Sequence, residues 1–324
     1  MMGHCLIRAS AVGVLLSPVL FAQQKHREFA LKADSPKFWS LVAKDAQLKA
    51  VGSDFGFTEG QVWESGGSVI VSDEETNEIC RLFPDGHHMT IMRLGDPDGN
   101  TRDVQQRLIV TASILRALIR LSPDERSYTV IADRYHNMRL NSPNDVTLGP
   151  DSALYFTDPT LDLMKGEKQE TPFQGVYRLD RNGKLTLLIR DMAQPNGLAF
   201  SPDGKYLYVD DTERRTIWRY AFHADGTVSG GALFAEEKSS EEPGVPDGMK
   251  VDRKGNLYVT GPGGIWLWNP QGKRLGLIIL PSVPANLTWG GEDRSTLWIT
   301  AGHYVYALKM KVAGYLPYAE RKEK

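Results

Sequence analysis

From Phe57 onward, apolar and polar positions alternate in short runs broken by Gly, Asp, Asn or Pro. Alternation with a period of two marks strands, and turn formers between the runs join them as hairpins. One unit recurs: a head carrying an acid or an amide, an apolar strand, a turn, a second strand and usually a third. It reads Thr58-Glu59-Gly60 to Val71-Ser72-Asp73, Pro143-Asn144-Asp145 to Phe156-Thr157-Asp158, and Pro195-Asn196-Gly197 to Val209-Asp210-Asp211. It returns as Pro246-Asp247-Gly248 to Val259-Thr260-Gly261 and as Ala285-Asn286-Leu287 to Ile299-Thr300-Ala301. A sixth copy, Pro97-Asp98-Gly99 to Val110-Thr111-Ala112, has an inner strand spoiled by Asn100, Thr101 and Arg102. In all six, 14 or 15 positions separate the head from the last residue.

Six such units, spaced by roughly 40 to 50 residues, match the period of propeller blades. The predicted fold is an all-β, six-bladed β-propeller of four-stranded antiparallel blades around a central channel. A strand over Gln47 to Val51 completes the last blade and closes the ring, which hides edges that would otherwise invite aggregation. Phe38 to Val42 reads as a helical turn. Residues 23–324 are expected to form a single domain.

The N-terminus follows a different rule. Met1 to Ala22 has a short basic start (His4, Arg8), an apolar run from Ala9 to Phe21 interrupted by Pro18, and polar Gln23-Gln24 after Ala22. That is the pattern of a secretory signal peptide, too short to span a bilayer, so periplasmic or secreted localisation and no stable membrane insertion are expected after its removal. Cys5 lies before the apolar run, so a lipoprotein cleavage site is not indicated. Cys80 would then be the sole cysteine, leaving no internal disulfide. With 38 basic and 40 acidic residues the charge is balanced, which argues against nucleic acid as a partner.

Asn-Gly and Asp-Gly are hairpin formers, so each head has a purely structural reading as a turn. Each unit carries a separate turn signal further on, however: Gly66-Gly67, Asp151-Ser152, Pro202-Asp203-Gly204, Lys254-Gly255-Asn256 and Glu292-Asp293. The heads therefore open the innermost strands, whose starts ring one mouth of the channel. Glu59, Asn144, Asn196 and Asp247 would converge there as two carboxylates and two amides. Such an all-oxygen set suits one hard divalent cation, Ca²⁺ first and Mg²⁺ or Zn²⁺ after it. Without a cation the two carboxylates repel across the mouth. Asp98 and Asn286 occupy equivalent heads and rank second, Asn286 as pocket lining and Asp98 as a solvated head. His303, in Ala301-Gly302-His303, either faces the pocket or caps a loop, and His87-His88 reads as a solvated turn. Trp63, Trp218, Trp266, Trp268, Trp289 and Trp298 read as packing between blades. Ser113 and Ser142 lack a nucleophile elbow, which disfavours a serine hydrolase.

At these heads the sequence resembles the regucalcin and gluconolactonase family. The resemblance rests on Phe57-Thr58-Glu59-Gly60 with Trp63, Leu140-Asn141-Ser142-Pro143-Asn144-Asp145 running to Tyr155-Phe156-Thr157-Asp158-Pro159, Gln194-Pro195-Asn196-Gly197-Leu198 running to Pro202-Asp203-Gly204, and Pro246-Asp247-Gly248-Met249. It covers about Phe38 to Gly314. It implies Glu59, Asn196 and Asp247 as ligands of a single divalent ion, Asn144 in the metal shell or on the substrate, and Asp247 as general base. The form at 142–145 is similar to the bacterial gluconolactonase branch, in which a sugar lactone is the small-molecule substrate. The departures are Gln61 for a usual Pro, which is harmless, and Asp98 for an expected Asn with Ser113 for a common His, which bear on substrate more than on metal. Ser142, Asp98, Asn286 and His303 are the candidate substrate-pocket residues, and Leu161 to Phe173 is a charged loop placed to cover the mouth. Two rival functions share the scaffold: a phosphotriesterase or aryl esterase on the same metal site, and a non-catalytic calcium-stabilised propeller that binds a partner.

Overall fold

In a computed structural model the chain is described over residues 27–239 and 241–320. The leader read over Met1 to Ala22 lies outside these residues. Six antiparallel sheets follow one another around an axis, and each innermost strand packs on the next, the sixth returning to the first. From the axis outward, blade 1 is Thr58–Trp63, Val69–Asp73, Glu78–Leu82 and His88–Arg93. Blade 2 is Pro97–Arg102, Leu108–Ala112, Ala117–Leu121 and Tyr128–Ala132, and blade 3 is Val146–Leu148, Leu154–Asp158, Gln174–Leu179 and Leu185–Met192. Blade 4 is Pro195–Phe200, Tyr206–Asp211, Thr216–Phe222 and Val228–Glu236; blade 5 begins with Met249–Val251, Leu257–Gly261, Gly264–Trp268 and Arg274–Ile279. Blade 6 takes Asn286–Gly290, Thr296–Ala301 and Tyr304–Lys309 from the end of the chain and Leu48–Gly52 from its beginning, with Leu48 opposite Leu308. The early strand thus closes the ring, as its apolar pattern led one to expect.

Strand position decides composition. The second strands lie between neighbouring blades and are buried on both faces, so Val69–Asp73, Leu108–Ala112 and Leu257–Gly261 are buried throughout. The outermost strands have one wet face; Tyr128–Ala132 exposes Tyr128 and Val130. Aromatic rings fill the wedges between blades: Tyr155 meets Phe200 edge-on at 4.8 Å, and Trp63 stacks on Trp298 at 5.8 Å.

Three features differ from the sequence reading or sharpen it. Blade 5 gains a fifth, outer strand, Ala30–Ala33, with Ala30 opposite Ile279. The helical turn is a 3₁₀ helix over Pro36–Ser40, opened by Ser35, whose Oγ accepts from Lys37 N at 3.3 Å. Pro97–Arg102 is a full inner strand, so the polar run at 100–102 does not spoil it. Asn100 Nδ2 donates to Gly60 O and to Ser72 Oγ, both at 2.7 Å, and Arg102 pairs with Glu64 at 2.5 Å. These polar groups link blade 2 to blade 1. No described helix is long and apolar enough to cross a membrane.

Cys80 lies in the third strand of blade 1, 1% exposed, its thiol pushed up to about 12 by burial and by the nearby Glu78 and Asp73 carboxylates. In a Cys5→Ser background the folded protein should resist a thiol reagent at pH 8 and react stoichiometrically once unfolded in guanidinium. Rapid labelling of the native protein would mean that blade 1 opens under native conditions.

Candidate active site

The site begins with the way six inner strands crowd around an axis. Glu59, Asp98, Asn196 and Asn286 lie within the inner strands of blades 1, 2, 4 and 6, while Asn144 and Asp247 stand just before those of blades 3 and 5. All six heads therefore ring one mouth. The glycine after the head serves that crowding. A Cβ built on Gly60 would lie 2.1 Å from Asp98 O, on Gly99 2.6 Å from Asn144 O, on Gly197 1.9 Å from Asp247 O, and on Gly248 2.2 Å from the Asn286 side chain. Each of these glycines lets the next blade's head approach its backbone. They are not hairpin turns.

Across these approaches the heads pair in amide-to-acid fashion. Asn286 Nδ2 donates to Glu59 Oε2 at 3.0 Å between blades 6 and 1, and Asn144 Nδ2 donates to Asp98 Oδ2 at 2.5 Å between blades 3 and 2. Between blades 4 and 5 the Asn196 amide faces the Asp247 carboxyl and offsets part of the rise in its proton affinity. Glu59 also accepts from Gly60 N at 2.6 Å. The four residues read as ion ligands, Glu59, Asn144, Asn196 and Asp247, thus share one mouth with Asp98 and Asn286; three of the six are acids, and each of the three amides stands beside one of them. Asp98, expected as a solvated head, is instead buried, with the Asn144 amide packed on its carboxyl.

Burial governs the charge of this ring. It pushes the Glu59 carboxyl up to about 7 despite the Gly60 and Asn286 hydrogen bonds, and Asp145 adds to the rise. Asp247 is raised well above the ordinary carboxylate range by burial, then by Glu59, Asp145 and Asp162; Asp98 is raised likewise by burial and by Glu74, Glu59, Asp162 and Asp247. Lys250 supplies positive charge below the ring, its Nζ 3.3 Å from Asn286 Oδ1 and 4.0 Å from Asp145 Oδ2.

Glu74 and Asp162, two acids of the mouth, escaped the repeat analysis because both lie in loops between second and third strands. Asp162 Oδ2 lies 3.4 Å from Asn144 Nδ2. Ser142 does not face the pocket: fully buried, it donates to Pro159 O at 2.8 Å and accepts from Asp162 N at 3.3 Å, so it anchors the loop that carries Asp162. Ser113 is buried as well, its Oγ 3.3 Å from Pro143 O. His303 is exposed, with Nδ1 on the carbonyls of Phe55 and Gly56, which is the loop-capping alternative.

Among the described residues no three His, Cys, Asp or Glu side chains stand as a ready metal-binding group. The donor set here is different in kind: the Glu59 and Asp247 carboxylates with the Asn144 and Asn196 amides. With Asn144 Nδ2 turned to Asp98, its Oδ1 is the atom left for a cation. An oxygen set carrying concentrated negative charge fits a hard divalent ion.

A family model described as "SMP-30/Gluconolactonase/LRE-like region" matches residues 57–303. The chain belongs to this family. A gluconolactonase of Zymomonas mobilis subsp. mobilis is 32% identical over 305 residues, covering 86% of each chain. A pentonolactonase of Haloferax volcanii is 30% identical over 218 residues, covering 63% of this chain and 72% of the relative. Among solved structures, a gluconolactonase from Xanthomonas campestris superposes with a TM-score of 0.79 at 28% identity, covering 89% of this chain and 99% of that one. The matched span of the SMP-30/gluconolactonase chain opens just before Glu59 and ends at His303, so it takes in all six heads.

One buried acid of this chain lies just behind the ring, its carboxyl against Gly197 and near Asp247. The penultimate residue of each second-strand unit is Ser72, Thr111, Thr157, Asp210, Thr260 or Thr300. Four of the hydroxyls tie adjacent blades: Ser72 to Asp98 O at 2.7 Å, Thr111 to Asn144 O, Thr260 to Ala285 O at 2.8 Å, and Thr300 accepting from Gln61 Nε2 at 2.7 Å. In blade 4 the tie passes to Thr212, which donates to Pro246 O at 2.7 Å, and neither oxygen of fully buried Asp210 has a hydrogen-bond partner. Asp210→Thr should therefore stabilise the protein by about 1–3 kcal/mol, because it removes an unpaired buried carboxyl and restores the hydroxyl of the other blades. A shift of the denaturation midpoint to higher urea checks this; a lower midpoint would mean that the carboxyl is held by contacts a hydroxyl cannot replace.

Proposed function

We propose that this protein is a metal-dependent lactonase that opens a sugar lactone to its hydroxy acid, with one divalent cation, Ca²⁺ ahead of Mg²⁺ or Zn²⁺, held by Glu59, Asn196 and Asp247 beside Asn144. The observation that carries the reading is the convergence of one buried and one half-buried carboxylate, Glu59 and Asp247, and two amides on one mouth of a family propeller. The lactonase names of the relatives in bacteria and archaea support the reaction type. When bound, the ion supplies Lewis acidity toward the lactone carbonyl and charge neutralisation.

The protein's own groups divide the remaining work. Asp247 takes a proton from the attacking water as oxygen adds to the carbonyl carbon; burial and its acidic neighbours raise its proton affinity for that task. The tetrahedral carbon then expels the ring oxygen, the proton passes to that alkoxide, and an open-chain hydroxy acid remains. Asn144, held through its Nδ2 by Asp98, turns Oδ1 toward the ion, and Asn286, itself fixed by Lys250, holds Glu59 in place. Export to the periplasm or beyond, as one domain of residues 23–324 after loss of the leader, completes the proposal.

Asp247→Ala should lower the rate of glucono-1,5-lactone opening by about 10²-fold or more, with far-UV dichroism and elution volume unchanged. Stripping the enzyme with a chelator should abolish opening, and adding back Ca²⁺, Mg²⁺ or Zn²⁺ in parallel should restore it in that order. Full turnover by metal-free protein, confirmed by elemental analysis, would end the metal-dependent reading.

A further inference from the structure

We propose that Lys250 is a built-in cation that fills the channel one layer below the mouth, so that the protein takes a single divalent ion at the heads and none beneath them. This rests on the reading of a divalent ion at the mouth and adds to it the reason why there is only one.

Lys250 is the middle residue of Met249–Val251, the inner strand of blade 5, and pairs across the ladder with Tyr258. At the same register the other blades carry Val62, Thr101, Thr147, Ala199 and Thr288, all of them neutral. The ammonium has three N–H donors, and three oxygens surround it: Met249 O at 3.0 Å, Asn286 Oδ1 at 3.3 Å and Asp145 Oδ2 at 4.0 Å. They belong to blades 5, 6 and 3, and blades 3 and 6 stand opposite each other, so one side chain reaches past blade 4 to hold both walls of the channel. A backbone carbonyl, an amide oxygen and a carboxylate are the donors of a hard-cation site, taken up here by nitrogen. Asp145 shows how much the position needs positive charge. It is 2% exposed, its Oδ1 accepts from Val146 N at 2.8 Å, and its Oδ2 accepts no hydrogen bond among the described residues. A buried carboxylate oxygen in that state is costly unless a cation stands beside it, and Lys250 is the cation that does. Through Asn286 Oδ1 the same ammonium also fixes which end of the amide faces Glu59, leaving Nδ2 to donate to that carboxylate.

The experiment counts bound Ca²⁺ by equilibrium dialysis with elemental analysis, a readout independent of turnover. The wild type should hold about one ion per chain. Lys250→Met, which keeps the reach of the side chain and loses its charge, should hold about two, the second with a Kd on the order of 10⁻⁴ to 10⁻³ M because it has a single carboxylate ligand. Adding Asp145→Asn to Lys250→Met should return the count to about one, since the lower position then has no charged donor. A count unchanged by Lys250→Met would overturn the inference, as would two ions in the wild type or a double variant that keeps the second ion. Should Lys250→Met unfold in ion-free buffer, Ca²⁺ must refold it and the double variant must fold without any ion; failure of either also overturns the inference. A wild type that binds no ion at all would end the reading of an ion at the mouth, and this inference would fall with it.

Discussion

The near-contact of adjacent inner strands at the mouth is the constraint on which the rest depends. Six strands that converge on one axis bring the backbone of each head against the residue after the preceding head. At Gly60, Gly99, Gly197 and Gly248 a side chain would overlap the neighbouring blade by an ångström or more. Because the backbones come this close, heads that are remote in the chain stand within hydrogen-bonding reach. Asn286 meets Glu59 across 227 positions of sequence for that reason. The geometry that closes the ring and the geometry that gathers oxygen donors are one and the same.

That gathering works against stability. Burial raises the proton affinity of Glu59, Asp98 and Asp247, and each acid worsens the position of the next. Amides placed between acids relieve part of the strain, Lys250 relieves part from below, and a cation would relieve more. Elsewhere the fold meets the same need, a polar link between blades, with neutral hydroxyls such as Ser72 and Thr260. Acids occupy the mouth where hydroxyls suffice a few ångströms deeper, which is the pattern of groups kept for chemistry at a cost in stability.

Much of this was legible in the sequence because the repeat is both structural and functional. The constant spacing from head to strand end placed Glu59, Asn144, Asn196 and Asp247 at equivalent sites before any coordinate was known, and the apolar stretch at 47–51 pointed to ring closure. What misled was reading polarity as disorder of the strand: Asn100 and Arg102 are polar because they bond to blade 1. Ala30–Ala33 was missed because an outer fifth strand, with an exposed and half-buried alternation over four residues, has almost no signature. Ser142 was placed in the pocket on motif position alone, whereas its hydroxyl is consumed by Pro159 and Asp162. Asp210 did carry a signal, an acid in a register held by hydroxyls in every other blade, visible only when all six units are aligned.

Loops explain the remaining gap. Glu74 and Asp162 sit between second and third strands, where length and composition vary from blade to blade and no periodicity constrains them. The rigid inner strands hold the heads, so a reaction centre built on them tolerates change in what surrounds it. Loop residues can therefore vary without disturbing the heads. The Glu59, Asn196 and Asp247 positions keep oxygen donors, and the departures from the family pattern fall at Asp98, a buried head, and at Ser113, buried against Pro143 O. Asp98 pairs with Asn144, and Asn144 in turn stands near Asp162. A change at Asp98 would thus reach the loop through a single amide, because Asn144 is the one side chain that touches both.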